Sequence, residues 1–498
     1  MKIIEEQLND QEVIRREKLK KIKELGVDPF GKKFERTDST LSAKAKIENL
    51  TSEQLQENKI YVTVAGRLMA IRRMGKASFV NIQDVKGSIQ AYIGIDIVGE
   101  QSYEIFKLAD IGDFVGLYGS LMRTRTGEIT IRVEKYTHLA KALKPLPEKF
   151  HGLTDIEERY RKRYLDLIMN DEAKRTALAR PKIIRLIQKY FDEKGFVEYE
   201  TPVFNPVLGG ASARPFVTHH NALDRDFYLR IATEIPLKKL IIGGLEKVYE
   251  FGRLFRNEGI DTTHNPEFTT CELYEAFGDL QSMRNLIEGL IRYLSKEVTG
   301  SYKLNYDGKE IDCESPFRWV SMNELVKEKT GLDFTSNMTF EEAKEKVKQF
   351  NLKYDEKLVN NNGKLMELLF DEFCEKELIQ PTFVHTYPIE ISPLTKKTED
   401  PRFVDRFELF INGHEIGNAY SELNDPLDQR ERFIEQLKAR ENGDEEANEI
   451  DYDFLEAMQY GMPPTGGIGF GIDRLVMLLT GNSSIREVIV FPTLKTLK

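Results

Sequence analysis

Glu408 and Glu415 flank Asn412-Gly413, the dipeptide that most strongly marks a two-residue hairpin. Pairing outward from that turn sets Ile411 against His414, Phe410 against Glu415 and Glu408 against Gly417. The two carboxylates then fall on one face as diagonal neighbours, about 7–8 Å apart. Carboxylates so placed can bridge Mg²⁺ ions on a triphosphate, although two ordinary surface acids would read the same way. Asn418, Tyr420 and Glu422 share the opposite face, so a bulge is needed before they can serve the same pocket. Gly417 is the obvious place for it.

Two other strings could do chemistry. The first runs KVYEFGRLFR, NEGIDTTHNP, EFTTCELYEAF and reads as strand, loop, strand. In its second strand Phe268, Thr270, Glu272 and Tyr274 share a face by the period of two. An aromatic ring, a carboxylate and a phenol on one face are unusual for a simple core strand. The second string is GGIGFGIDRLVMLL, Gly466 to Leu479. No dinucleotide-binding glycine register fits it. Arg474 stands in a Gly-rich apolar run that reads as buried, so it needs a partner: Asp473, another acid or an anionic ligand. Other motifs fail. His414-Glu415 opens a zinc-protease string, but Asn418 stands where its second histidine belongs. Gly26 to Lys33 mimics a phosphate loop without the hydroxyl residue after the lysine.

The elements that must position these residues change character along the chain. Within the basic stretch from Gln11 to Arg36, VIRREKLKKIKEL predicts a helix with Val13, Ile14, Leu19, Ile22 and Leu25 on one face. From about Ile60 to Leu139 three strands, a short helix and two strands resemble an OB-fold barrel, a shelf for oligonucleotides. Lys144-Pro145-Leu146-Pro147 reads as a stiff linker. The rest mixes strands and helices, with a charged helical insertion at about 321–376. We therefore expect a helical arm over 1–58, a barrel over 59–143, a linker over 144–164 and an α+β domain over 165–498. The chain has 498 residues and a net charge of −10, so any RNA must be met by local basic patches. Its three cysteines are widely spaced, which argues against a disulfide framework and for a reducing cytoplasm. No apolar run is long enough to span a membrane.

FRNEGIDTTHNPEFTTCELYEAF resembles the second signature motif of the class II aminoacyl-tRNA synthetases, and GGIGFGIDRLVMLL resembles the third. GFVEYETPVF, Gly195 to Phe204, is similar to the first, with Pro202 at the dimer-interface proline. A barrel ahead of the catalytic domain matches the subgroup that charges lysine, aspartate and asparagine. Within it, LGGASARPF, RIATEIPLKKL and HEIGNAYSELND look like the lysyl family. An excess of buried acid suits two ammonium groups and one carboxylate. The resemblance implies an α+β architecture, an OB-fold barrel followed by an antiparallel sheet with flanking helices. It implies a ligase that joins L-lysine to tRNA(Lys) with ATP and Mg²⁺, in a cytoplasmic homodimer.

The same resemblance implies the site residues. Arg256 and Arg474 would be catalytic, and with Glu258, His264, Asn265 and Phe268 would bind ATP. Gly210, Glu234, Glu272, Tyr274, Asn418, Tyr420 and Glu422 would bind lysine. Glu408 and Glu415 would hold the metal. Arg72, Phe79, Gln90 and Glu128 would read the anticodon. The alternatives are an aspartyl or asparaginyl enzyme, a protein lysyltransferase, and a non-catalytic RNA-binding relative. The intact Arg256, Glu408, Glu415 and Arg474 argue against the last, the barrel against the second and the acidic pocket against the first.

Overall fold

The computed structural model describes residues 8–147, 155–211, 213–355, 358–441 and 449–496; residues 148–154 of the expected linker lie outside them. The chain divides into two compact units, Met1–Gly152 and Leu153–Lys498.

In the first unit β1 (Tyr61–Met74), β2 (Ala77–Asp84), β3 (Gly87–Gly94), β4 (Phe114–Arg123) and β5 (Ile129–Ala140) close a barrel in the order β1-β2-β3-β5-β4. Alternate residues enter its core, among them Val62, Val64, Val80, Ile82, Ile89, Ala91, Ile131 and Val133. The period-two pattern seen in the sequence is therefore the barrel's inside–outside alternation. A helix, Glu100–Lys107, lies between β3 and β4 and buries Tyr103 and Phe106 in the same core.

The expected N-terminal arm is not a separate element. Ala43, Ile47 and Leu55 join the barrel core. The helix Asp10–Glu24 forms behind an Asn9–Glu12 capping box, but its face is not the one expected. Val13, Ile14 and Leu25 are exposed, whereas Glu12, Arg15 and Ile22 are buried. The reason is polar. Arg15 donates to the carbonyls of Ile111 and Ala142, and Lys18 pairs with Asp110 at 2.5 Å. Docking on open carbonyls and an acid selects the charged face of the helix.

The second unit is built on eight strands: β6 (Val197–Glu198), then, past three short strands introduced below, β10 (Lys247–Phe255) and β11 (Glu267–Ala276), and later β14 (Arg318–Ser321), β15 (Thr382–Pro388), β16 (Phe403–Ile411), β17 (His414–Ser421) and β18 (Thr465–Gly471). The sheet order is β14-β15-β16-β17-β18-β11-β10-β6. Its six central strands are antiparallel, and the pairs β14–β15 and β10–β6 at its edges are parallel. Smaller strands form a three-stranded sheet, β7 (Phe204–Asn205), β8 (Val217–His220) and β9 (Arg225–Leu229), and a hairpin, β12 (Lys303–Tyr306) with β13 (Lys309–Asp312).

Helices Asp171–Asp192, Leu280–Thr299 and Ile472–Thr480 cover one face of the large sheet. Leu280–Thr299 shows why. Met283, Leu286, Ile287, Leu290, Ile291 and Leu294 recur at helical spacing and are all buried. Asp279 caps its start, and Gly300, left-handed at φ 78, ends it.

The insertion at 321–376 is a crossover: helices Met322–Thr330, Phe340–Val347 and Asn362–Phe373 carry the chain from β14 to its parallel neighbour β15 and share a core with Val384, Val404 and Phe410. The expected linker is also narrower. Ile156–Arg161 and Arg163–Met169 are helical and belong to the second unit, where Tyr160 donates to Glu487 at 3.1 Å and Arg163 to the Val490 carbonyl at 3.1 Å.

Candidate functional site

The uncovered face of the sheet gathers the acidic residues. On β11 Cys271 and Leu273 point into the helix-covered core, so Phe268, Thr270, Glu272 and Tyr274 face the other way. Next to it, β18 carries Gly467 opposite Tyr274, Gly469 opposite Glu272 and Gly471 opposite Thr270, while Ile468 and Phe470 fill the core. The alternation leaves this face of the strand bare. A Cβ on Gly467 would stand 2.0 Å from Glu422 Oε1 and 2.6 Å from Tyr274 Cε1.

The hairpin completes the face. Ile411 pairs with His414 and Phe410 with Glu415, as the turn predicts. Glu408, however, pairs with Asn418 and not with Gly417, because the register shifts between Leu409 and Phe410. Ile416, buried beside Gly417, is the extra residue. The bulge turns Asn418 and Tyr420 onto the face of Glu408 and Glu415.

The innermost part is a closed set of charges. Glu234 starts the helix Glu234–Ile242. One turn later Lys238, fully buried, places Nζ 2.5 Å from Glu234 Oε1 and 2.5 Å from Glu422 Oε2. Apart from that ion pair, the Glu422 oxygens have no hydrogen-bond partner among the described residues. Glu272 accepts from the Thr233 backbone N–H at 3.2 Å and from the Tyr274 hydroxyl at 3.4 Å. Burial, and next the charge of Glu234, push the Glu272 carboxyl up to about 7. Burial pushes Glu422 up to about 8, with Lys238 opposing it. Gly210, at φ +89, brings the backbone so close that a Cβ would meet Ala232 Cβ at 3.0 Å and Glu234 Cβ at 3.5 Å.

Arg256 stands at the mouth. Its guanidinium lies 5.2 Å from the Phe268 ring, and its Nε is buried without a partner among the described residues. Glu258 and His264 are exposed in the following loop. His264 is held 2.8 Å from Asp261. Asn265 is buried; it donates to the Glu267 carbonyl and accepts from the Thr493 backbone N–H, which pins the loop to the C-terminal segment.

At the far end Glu408 pairs with Arg406 and accepts from the Tyr387 hydroxyl at 2.9 Å. Arg406 also donates to Asn418 Oδ1 at 3.1 Å and lies 5.6 Å from the Tyr420 ring. Arg474 is half-buried rather than buried: it donates to the Glu415 carbonyl at 2.7 Å, with the Glu415 carboxylate 3.7 Å away. Asp473 is not its partner. It pairs with Arg180 and accepts from the Thr269 backbone N–H. Sequence reasoning missed Lys238 and Arg406, which organise the buried acids; an acid one helical turn before Lys238 was the only signal for the former.

In the first unit Val80 and Ile82 point inward and Phe79 outward. Phe79 packs on Tyr92, centroids 5.2 Å apart, and both line a cleft of about 380 Å³ with Met122, Thr124, Arg125, Thr126 and Arg132. Arg72, exposed, lies opposite Phe79 in the β1–β2 register. Gln90 lies two residues from Tyr92, its Oε1 taken by the Thr130 hydroxyl at 2.8 Å. Glu128 is exposed in the turn between β4 and β5, its backbone N–H bonded to the Thr124 hydroxyl. Tyr92, Arg125 and Arg132 were not anticipated.

Known proteins match both units. Residues 155–495 fit the family described as class II tRNA synthetases (D, K and N), and residues 62–139 fit the OB-fold nucleic acid binding domain. A lysine–tRNA ligase of Streptococcus pneumoniae (strain CGSP14) is 55% identical over 491 residues, covering 98% of this chain and 99% of that protein. Another, of Lactococcus lactis subsp. cremoris (strain MG1363), is 55% identical over the same shares of each chain.

Proposed function

The chain belongs to the class II tRNA synthetases (D, K and N), and from that membership we infer that it activates L-lysine with ATP and joins it to the 3′ end of tRNA(Lys). Lysine–tRNA ligation is its activity. The observation that carries the choice of amino acid is the pocket of Glu234, Glu272 and Glu422, all buried, with Glu422 Oε1 lacking a hydrogen bond among the described residues. Such a pocket attracts ammonium groups and repels an aspartate side chain. ATP–pyrophosphate exchange across the twenty amino acids tests it: exchange should require lysine, and exchange with aspartate or asparagine alone would overturn the reading.

In the first step a lysine carboxylate oxygen attacks the α-phosphorus and pyrophosphate leaves. Both reactants are anions, so the residues must neutralise charge and hold the groups in line. The Nε of Arg256, buried with no partner among the described residues, supports it as the group between carboxylate and α-phosphate, with Phe268 beside it under the adenine. Arg474 holds the γ-phosphate, and Glu258, His264 and Asn265 shape the ATP loop. Glu234, beside the close backbone of Gly210, takes the α-ammonium. Glu272, Tyr274 and Glu422 take the ε-ammonium, and Asn418 and Tyr420 close the pocket. In the second step the terminal 3′-hydroxyl of the tRNA attacks the carbonyl and AMP leaves.

Glu408 and Glu415 fit Mg²⁺: they are hard oxygen donors on one face, and burial together with the Glu415 charge pushes Glu408 up to about 7 even though Arg406 pairs with it and pulls it down, a burden that a further cation relieves. The ion, when bound, neutralises phosphate charge. The barrel cleft, with Phe79 and Tyr92 as stacking surfaces and Arg72, Gln90 and Glu128 around them, is the anticodon site in this reading. A homodimer is supported by the exposed apolar residues Val197, Val203 and Phe204 around the edge strand β6; a monomeric mass at micromolar concentration would contradict it. The cytoplasm suits the three buried free thiols, Cys271, Cys313 and Cys374.

A further inference from the structure

Lys238 takes no part in the steps above, yet it is the most deeply buried charge of the second unit's site. Its Nζ reaches up from the helix Glu234–Ile242 to lie 2.5 Å from both Glu234 and Glu422, and 5.9 Å from the centre of the Tyr274 ring. Glu234 and Glu422 come from elements 188 residues apart in sequence, and this ammonium is their shared contact. A buried lysine that served packing alone would be an expensive filler, because an ion removed from water must recover its hydration from partners.

The charge count gives it a purpose. When ionised, Glu234, Glu272 and Glu422 bring three negative charges, and a bound lysine brings two ammonium groups and a carboxylate. Arg256 answers the carboxylate of the substrate. The two ammonium groups answer two of the three acids, and one is left over. We propose that Lys238 is a positioning residue: a resident cation that answers the third acid and aligns Glu234 and Glu422 on the two ends of the substrate. This rests on the assignment of these acids to the lysine pocket.

The proposal has a titration signature. The groups facing Glu422, which lies just past the end of β17 and bridges to Thr395, are Lys238 and Glu234 from the helix, Glu272 and Tyr274 from β11, and Tyr420 from β17, while β18 brings Gly467 against it. Arg406 lies one ring further, across Tyr420, and Arg256 acts on Glu272. Lys238 is thus the cation in contact with Glu422. Burial raises the proton affinity of Glu422 and Lys238 holds the rise in check. Without Lys238 the carboxyl keeps its proton to higher pH, and a protonated carboxyl cannot pair with the substrate ammonium. The acidic limb of the pH profile for lysine must therefore move upward.

The test is ATP–pyrophosphate exchange, with KM for lysine and kcat separated, over pH 6 to 9.5. Lys238→Met should raise the limb of kcat/KM by about 1–3 pH units, the usual effect of one charge partner. Below the limb this is about a 10- to 10³-fold rise in KM for lysine, with KM for ATP within about threefold. Lys238→Arg should keep the limb near its original place and Lys238→Gln should move it, so the charge is tested even where Met prevents folding. A limb that stays put in Gln and Met, or moves equally in Arg, overturns the proposal. Glu422→Gln is the control for the pocket itself. If it leaves KM for lysine unchanged, the pocket assignment fails; if it raises KM while the Lys238 variants do not, the positioning role alone fails.

Discussion

Adding one methyl group at Gly467 should disable lysine recognition while leaving the sheet intact. The Cβ would sit 2.0 Å from Glu422 Oε1 and 2.6 Å from Tyr274 Cε1, where ordinary contact begins near 3.4 Å. Glu422 must retreat by about 1.4 Å, and Tyr274 by somewhat less. Misplacing a positioning group by about 1 Å costs on the order of 10²-fold. Gly467→Ala should therefore lower kcat/KM for lysine by at least about 10²-fold, or about 2.7 kcal/mol. Folding should lose less than this. Gly467 does not have positive φ, so alanine fits its backbone and gains about 0.4–1 kcal/mol from the unfolded state, against about 1–3 kcal/mol for overpacking. Gly469 provides the contrast: its Cβ would lie 3.3 Å from Glu272 Cγ, a contact that a small shift relieves. Gly469→Ala should cost less than about tenfold. Steady-state exchange with lysine varied, alongside urea unfolding, reads both effects. Equal KM values in the two variants, or a Gly467→Ala loss matched by lost stability, would refute the steric argument.

Arg256→Ala should slow adenylate formation by about 10²–10³-fold in a folded protein, the scale for losing one donor to developing charge; near-normal exchange would remove it from the reaction. Glu415→Ala should shift the Mg²⁺ concentration needed for half-maximal exchange as well as the rate, and an unchanged Mg²⁺ profile would leave the hairpin acids as surface charges. Phe79→Ala should cut tRNA charging by roughly 5- to 150-fold, the worth of one lost base stack. Exchange without tRNA should stay within about twofold, because the effects of distant sites add. Loss of both activities with lost stability would make Phe79 a packing residue.

Much of the fold and the site is legible in the sequence. The alternation on β11 put Glu272 and Tyr274 on one face because a strand allows nothing else. The Asn412-Gly413 turn fixed the first two pairs of its hairpin. The bulge was required by the side-chain faces, but its place was legible only to within one residue. What the sequence hid was the cations. Lys238 reads as an ordinary helical ion-pair partner for Glu234, and its second acid lies far along the chain. Arg474 reads as buried because its neighbours are apolar, yet the first turn of its helix opens toward Glu415. The N-terminal helix failed for the converse reason: apolar spacing cannot reveal a barrel end that offers carbonyls and Asp110 to Arg15 and Lys18.

The place of β18 also bears on how the chain is made. It is the last strand to leave the ribosome, yet it lies in the middle of the sheet, between β17 and β11. Until residue 471 has emerged, β6-β10-β11 and β14-β15-β16-β17 are two half-sheets, each with an unpaired inner edge. Open edges of this kind recruit other strands, including those of neighbouring nascent chains. The bare glycine face gives β18 little intrinsic preference for an extended form, so both half-sheets must be present to hold it. The glycine face that lines the pocket thus joins it last, and the interval before β18 is inserted is when the chain is most open to misassembly and to chaperones.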